Sequence, residues 1–140
     1  MKPTKMKAPT SRKRPKRKTA ILYTRVASNE KTLGHQGLLA QEAKLREYCK
    51  KEKIEVLKVY EEVADGMDFN RPEFKKFLKE LKAGTVKADY FLFTSIDRFC
   101  RRLDALYGMH YRLKEMGITT KAIENVDVVY FAAFEVKTKK

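Results

Sequence analysis

Apolar residues between positions 20 and 125 change repeatedly from the spacing of a strand to the spacing of a helix. Residues 20–26 (AILYTRV) and 54–61 (IEVLKVYE) are rich in β-branched and aromatic side chains, and both predict strands. Residues 89–94 (DYFLFT) form a nearly unbroken apolar run, which is typical of a strand buried on both faces. Residues 118–123 predict a fourth strand.

Three helical stripes separate these strands. Their inward positions recur every three or four residues: Leu38, Gln41, Leu45 and Tyr48; Phe74, Phe77, Leu78 and Leu81; Leu103, Leu106, His110 and Leu113. We predict that the second helix begins at Pro72 and ends at Gly84, and that the third ends at Gly117. Residues 28–37, which include His35, predict a mobile loop.

The order of these elements predicts an α/β fold. We expect a mostly parallel central sheet of four to five strands, flanked by helices on both faces. The alternative is a generic flavodoxin-like or nucleotide-binding α/β domain. The segment RVASNEKTLG after the first strand contains neither a GxGxxG nor a GxxxxGK phosphate loop, so the sequence disfavours that alternative.

The composition indicates one folded domain in a reduced compartment. The chain has 140 residues, of which 43% are hydrophobic, enough for one packed core. No apolar run approaches the roughly 20 residues of a membrane helix, so we expect no membrane partner. Cys49 and Cys100 have neither disulfide-scaffold nor metal-ligand spacing, which predicts a cytoplasmic protein with no metal site.

The net charge of +14 is concentrated at the amino terminus. Residues 1–19 contain nine Lys and Arg residues, no acid and three of the four prolines, which predicts a disordered basic arm. One interpretation is electrostatic attraction to nucleic acid. The residues that would carry it are Arg12, Lys13, Arg14, Lys16, Arg17 and Lys18. The other interpretation is a solubilising leader.

Four arginines are placed to meet at one edge of the predicted sheet. Arg25 ends the first strand, Arg71 directly precedes the second helix, and Arg98 and Arg101 follow the third strand. Ligands of open α/β sheets bind beyond the carboxyl ends of the strands. Several guanidinium groups in one cleft suit a phosphate whose charge rises during transfer, and they need no metal ion. The sequence therefore predicts a phosphate site.

Each candidate residue also has an ordinary structural interpretation. Asp97 would serve as the N-cap of a helix-opening turn, and Gln41 would cap a neighbouring loop from its inward helix position. Arg102 is expected to be solvated. His110 and Cys100 are expected to be core residues, because no partner for nucleophilic chemistry is evident. The convergence of four arginines favours a functional site over separate structural roles.

The same residues resemble the catalytic domain of the serine recombinases, the resolvase/invertase family. The matching segments are Tyr23-Thr-Arg-Val26, Gln41, Asp65-Gly66, Arg71-Pro72-Glu-Phe74 and Asp97-Arg98-Phe-Cys-Arg101. In that family a serine attacks a DNA phosphodiester and forms a 5′-phosphoserine link, and the strands are exchanged without metal, ATP or another cofactor. The resemblance implies that the four arginines hold the scissile phosphate, with Gln41 nearby. It implies an acid/base or orienting role for Asp97.

The sequence departs from the family pattern at the nucleophile. The family serine directly follows the Arg-Val pair, and Ala27 stands at that position here. Ser28 is a substitute candidate, but adjacent side chains of an extended segment point to opposite faces. A misplacement of about 1 Å can cost on the order of 10²-fold in rate. Glu62 stands where the family usually has Asp, which weakens the assignment of a role to it.

A second departure follows the fourth strand. The family continues into a long helix that forms the dimer and crosses the DNA minor groove. Residues 126–140 resemble only the opening of that helix. The expected organisation is a basic arm over residues 1–18, a resolvase-like catalytic domain over residues 19–125 and a remnant of the dimerisation helix over residues 126–140.

Three functional hypotheses follow from the resemblance. The first is a truncated, catalytically impaired recombinase-family protein that acts on DNA and self-associates weakly. The second is a working recombinase fragment or nickase that uses Ser28. The third is a non-catalytic DNA-binding protein, or a partner that disables an intact recombinase. The sequence favours the first, and the third is compatible with it.

Overall fold

The computed structural model describes residues 17–27, 31–65 and 69–124. Four strands alternate with helices along the chain. Their bounds are β1 (Thr19–Val26), α1 (Lys31–Glu52), β2 (Glu55–Val63), α2 (Pro72–Ala83), β3 (Tyr90–Phe93), α3 (Ile96–Phe99), α4 (Leu103–Glu115) and β4 (Thr119–Ala122).

The four strands form one parallel sheet in the order β2-β1-β3-β4. Strand β1 lies in the interior of this sheet, where it pairs with β2 along its whole length and with β3 over residues 20–22. Arg25 near the end of β1 is level with Glu62 near the end of β2. The predicted parallel α/β sheet is confirmed, and its carboxyl edge gathers the segments that follow β1, β2 and β3.

Helices cover both faces of the sheet, as predicted. On one face α1 packs Leu45 and Cys49 against Leu22 and Leu92. On the other face α2 and α4 cover a larger apolar cluster that includes Tyr23, the residue next to Leu22 in β1. Because successive strand residues point to opposite faces, β1 contributes to both cores, and this explains its continuous burial.

Aromatic rings fill the second core. Phe74 of α2 contacts Tyr23 edge to face, with ring centroids 5.9 Å apart. Phe99 stacks on Phe93 at 4.4 Å with an interplanar angle of 16°. Such pairs stabilise by about 0.5–1.5 kcal/mol beyond their area burial. Phe99 thereby fixes α3, the short helix that carries Asp97 and Arg98.

The start of α1 differs from the prediction. Residues 31–37, including His35, are helical and were predicted as a loop, while residues 28–30 of the predicted loop lie outside the described ranges. The glycines that suggested a loop allow close packing instead. A Cβ on Gly34 would lie 3.3 Å from Val26, and one on Gly37 would lie 3.1 Å from Val26.

Other predicted boundaries agree with the structure. Helix α2 begins at Pro72 and is closed by Gly84 in the left-handed conformation, with φ 82°. Gly117, two residues after α4, also has a positive φ. None of the helices in the described ranges has the length and apolar character to cross a membrane.

Candidate functional site

Arg25 lies at the carboxyl edge of the sheet and is completely buried. All three nitrogens of its guanidinium donate to main-chain carbonyls. Nε donates to Arg98 O at 3.0 Å, Nη1 to Ala64 O at 2.6 Å and Nη2 to Asp97 O at 3.1 Å. The side chain therefore joins the segment after β2 to helix α3.

The four predicted arginines do come together at this edge. Burial lowers the pKa of Arg25 below its ordinary value, and the positive charge of Arg71 lowers it further. Arg101 and Arg98 act in the same direction. Arg98 Nη1 donates to Arg25 O, and Arg25 Nη2 donates to the carbonyl of Asp97, which pairs with Arg101, so contacts as well as charge place these guanidinium groups together.

Gln41 holds the main chain of Arg25. Its Oε1 accepts from Arg25 N at 3.0 Å, and its Nε2 donates to Arg25 O at 2.9 Å. Arg98 Nη1 also donates to Arg25 O, at 3.2 Å. Gln41 is thus buried against β1, where it satisfies peptide groups beyond the point at which β1 stops pairing with β3.

Arg71 is buried at 1% exposure directly before α2. Its Nη1 donates to the Tyr23 hydroxyl at 3.0 Å, and its guanidinium lies over the ring of Phe69 at 5.1 Å. Its Nε and Nη2 are buried without a hydrogen-bond partner in the described part of the chain. Buried donors without acceptors are rare and costly, so this arginine is suited to an anionic oxygen.

The carboxylate of Glu62 accepts hydrogen bonds from the first turn of α2. Its Oε2 accepts from Glu73 N at 3.0 Å, and its Oε1 accepts from Phe74 N at 2.9 Å and from the Tyr23 hydroxyl at 3.0 Å. The N-cap residue Arg71 offers no side-chain cap, so Glu62 satisfies the open N–H groups of the first turn. The carboxylate also suits the positive end of the helix.

No role for the Tyr23 hydroxyl was predicted from the sequence. Burial raises the pKa of this hydroxyl, which stays protonated and donates to Glu62 while it accepts from Arg71. A buried tyrosine usually has a hydrogen-bond partner for its hydroxyl, so the position of Tyr23 in a buried strand could have indicated this role.

Asp97 and Arg101 lie at the surface of the cluster. Arg101 Nε and Asp97 Oδ1 are 3.2 Å apart, and the two side chains are 52% and 61% exposed. An ion pair this exposed contributes little to stability, so both groups can exchange partners with a charged ligand. Arg102 pairs with Asp104 at 2.8 Å and is exposed, in agreement with its predicted solvation.

Several of the remaining candidates lie beyond the described ranges. These are Ser28, Arg12, Lys13, Arg14 and Lys16. Ala27 is described at the end of β1 and is partly buried. Arg17 and Lys18 are exposed next to the amino end of β1, at the edge of the sheet opposite the arginine cluster.

Two residues predicted to be structural are indeed in the core. Cys100 is fully buried in the aromatic cluster, and burial raises the pKa of its thiol. His110 is also buried, and its Nδ1 contacts Thr120 Oγ1. Within residues 17–27, 31–65 and 69–124, no three His, Cys, Asp or Glu side chains are grouped as a metal site would require.

Comparison with known proteins identifies the family to which this fold belongs. Residues 20–130 match the family described as the resolvase N-terminal domain. The chain therefore belongs to the resolvase family of site-specific DNA recombinases. No curated protein sequence matches it.

Solved structures of serine recombinase domains share this fold. The chain aligns with a resolvase family site-specific recombinase from Streptococcus pneumoniae at 17% identity and a TM-score of 0.65, over 88% of this chain and 89% of that chain. The N-terminal catalytic domain of TP901-1 integrase aligns at 18% identity and a TM-score of 0.65, over 87% and 95%. The catalytic domain of ISC1926 TnpA, an IS607-like serine recombinase, aligns at 23% identity and a TM-score of 0.64, over 76% and 68%.

Proposed function

We propose that this chain is a recombinase-type domain that binds a DNA phosphate at its arginine cluster but is impaired in cutting the strand. The observation that carries the proposal is Ala27, which follows Val26 at the end of β1, beside the cluster. A methyl group has no hydroxyl with which to attack phosphorus, so Ala27 cannot form a phosphoserine link.

The arginine cluster supports phosphate binding. Arg71 has two buried guanidinium nitrogens without an acceptor among the described residues. Arg101 is exposed and forms a surface ion pair with Asp97. A phosphate oxygen would satisfy Arg71 and would exchange for Asp97 at Arg101. Arg98 would complete the charge around the phosphate, and Asp97 would orient Arg101 before the phosphate binds.

DNA is the proposed source of that phosphate. The family consists of DNA recombinases, and the cluster lies at the edge of the sheet where ligands of α/β domains bind. Residues 1–18 would act as a basic arm that attracts the DNA backbone, with Arg17 and Lys18 exposed at its end.

A covalent-trapping assay tests the proposal. The parent chain and its Ala27→Ser variant are incubated with DNA that carries a crossover site of a related recombinase, quenched with denaturant and examined for a protein–DNA adduct. We expect an adduct with Ala27→Ser and none with the parent. The matched control is Ala27→Ser combined with Arg101→Gln, which should reduce the adduct.

Two other outcomes would change the conclusion. An adduct with the parent that disappears in Ser28→Ala would make the chain an active enzyme that uses Ser28. If neither protein forms an adduct, the affinity of the parent for DNA is measured at increasing salt. This measurement decides whether the chain binds DNA without cutting it. Binding that weakens steeply with salt supports the non-catalytic DNA-binding role, whereas no binding contradicts the proposal.

A further inference from the structure

We propose that Val26 is a positioning residue, whose side chain fixes the place of the residue that follows it at the end of β1. This inference rests on the proposed function, in which a hydroxyl at position 27 would attack the bound phosphate. Val26 has no polar side-chain group with which to bind a phosphate. It acts through the peptide bond that joins it to Ala27.

Each methyl group of Val26 packs against a different glycine of α1. A Cβ on Gly34 would lie 3.3 Å from Cγ2 of Val26, and a Cβ on Gly37 would lie 3.1 Å from Cγ1. Carbon atoms pack best at about 3.5–4.0 Å, so α1 comes this close to the valine only because both residues lack a Cβ. The side chain of Val26 is therefore held at both methyl groups, and the residue is 2% exposed.

A valine transmits such contacts to the backbone. The two branches on its Cβ restrict the rotation of χ1, so the side chain cannot turn away from a push without leaving its staggered rotamer. A push on either methyl group of Val26 would therefore move its main chain. An unbranched side chain such as that of methionine would absorb the same push by rotating its terminal bonds.

The main chain on either side of this valine is held by hydrogen bonds. Ala64 N, directly after β2, donates to Val26 O at 3.0 Å. Gln41 of α1 pairs with both the N–H and the C=O of Arg25. The carbonyl of Val26 belongs to the peptide bond that leads to Ala27. The direction of that peptide bond is therefore set by the segment after β2 and by α1.

The contacts from α1 come from one face of the helix. Gly34, Gly37 and Gln41 are three and four residues apart, which places them on the same side. This face holds the last two residues of β1, and position 27 follows directly. A displacement of about 1 Å can cost on the order of 10²-fold in rate. The packing of Val26 is therefore required for attack from position 27, and it is not required for holding a phosphate.

The rate of covalent adduct formation tests the inference in the Ala27→Ser background. The substrate is duplex DNA that carries a crossover site of a related recombinase. Gly37→Ala pushes on Cγ1 of Val26, and we expect it to slow adduct formation about fivefold to tenfold. Affinity for the duplex should stay within about twofold, because the charges that contact phosphates are unchanged. The matched control is Gly108→Ala, whose Cβ meets open space in α4, and it should change neither quantity.

A double-mutant cycle shows whether the effect passes through Val26. Val26→Ala removes the methyl group that the new Cβ would meet, and alone it should also slow adduct formation. In the Val26→Ala background, Gly37→Ala should have no further effect on the rate. Equal slowing by Gly37→Ala in both backgrounds would show that the effect does not pass through Val26. A lower Tm with an unchanged rate in both single variants would show a purely structural role. Either result overturns the inference.

Failure of the proposed function has a different signature. If Ala27→Ser forms no adduct, cleavage cannot report on Val26, and NMR of the parent chain decides the inference. Gly37→Ala should then shift the methyl resonance of Ala27, which Gly108→Ala should leave unchanged, and no shift in either variant contradicts the inference.

A measurement on the parent chain covers the case in which Gly37→Ala does not fold. Three-bond couplings to the two methyl carbons of Val26 report the population of each χ1 rotamer. Couplings of a single rotamer support the proposed packing. Couplings averaged over several rotamers contradict it, because a side chain that turns freely cannot fix the residue that follows.

Discussion

The amide of Gln41 bonds to both the N–H and the C=O of Arg25, at 3.0 and 2.9 Å. A side chain from helix α1 thereby pairs with β1 as a neighbouring strand would. The pairing occurs beyond residue 22, where the ladder between β1 and β3 has already ended. Gln41 therefore fixes the last part of β1, on which Arg25 depends.

Replacing Gln41 with methionine should destabilise the fold. Methionine fills a similar volume but leaves the N–H of Arg25 without an acceptor, at a cost of about 1–3 kcal/mol for a buried group, while the C=O of Arg25 keeps only the bond from Arg98. The control is Gln36→Met, at an exposed position of the same helix, which should change stability by less than about 0.5 kcal/mol. Urea denaturation measures both, and equal effects of the two variants would contradict the role of Gln41.

Glu62→Gln should also be destabilising, although it changes one oxygen to a nitrogen. The carboxylate accepts from two main-chain N–H groups of α2 and from Tyr23, and an amide has only one oxygen for these donors. A loss on the order of 1.5–3 kcal/mol is expected for hydrogen bonds to a charged group. Its neighbour Glu61 is exposed, so Glu61→Gln is the matched control. Thermal unfolding measures the Tm of both variants, and equal Tm values would refute the role of Glu62 at the start of α2.

Glu80 should contribute stability that depends on pH. Its carboxylate accepts hydrogen bonds from Lys58 at 2.8 Å and from the hydroxyl of Tyr60, and these bonds lower the pKa of Glu80 below its ordinary value of 4.5. Because the folded pKa is the lower one, the stabilisation is present above pH 4.5 and is lost as the pH falls through the folded pKa.

The variant Glu80→Gln tests this dependence. Its Tm should be below that of the parent at pH 7, and the difference should shrink as the pH falls below 4.5, the ordinary pKa of the carboxyl. Glu55→Gln, at an exposed position of β2, should show no such change. A Tm difference for Glu80→Gln that is the same at pH 7 and pH 3 would contradict the prediction.

Replacing either of two glycines with alanine should change the stability of the fold, in opposite directions at the two positions. A Cβ at either Gly84 or Gly108 would meet open space, so only the backbone conformation matters. Gly84 has a φ of 82°, and alanine there should cost about 1–2 kcal/mol. Gly108 lies within α4, where alanine should stabilise by about 0.5–1 kcal/mol. Equilibrium denaturation distinguishes the two, and effects of the same sign would contradict the argument.

Local signals in the sequence were enough for most of the fold. The alternation of apolar and polar residues over 54–61 and the apolar run of residues 89–94 predicted strands. Such predictions succeed because the order of apolar residues along a strand follows which of its faces are buried. Pro72 and Gly84 marked the ends of α2 because their backbone preferences are local. The start of α1 was missed because Gly34 and Gly37 are explained only by their packing against Val26.

The candidate site was predictable in position but not in its hydrogen bonds. Parallel topology brought Arg25, Arg71, Arg98 and Arg101 to one edge, which requires only the order of the elements. The partners of Arg25 are main-chain carbonyls, and every residue has one, so no residue type indicates them. Glu62 was similarly ambiguous, because its donors are peptide N–H groups of α2.

Under the proposed function, the length of β1 sets the minimum length of a duplex that contacts both its amino end and the arginine cluster. Arg17 and Lys18 precede its amino end, and the arginine cluster lies at its other end. Eight strand residues span about 26 Å, which is the length of roughly eight base pairs of duplex. A shorter straight duplex can reach one edge or the other, but not both. Affinity measured against duplex length should therefore rise abruptly once the duplex is long enough to reach both edges.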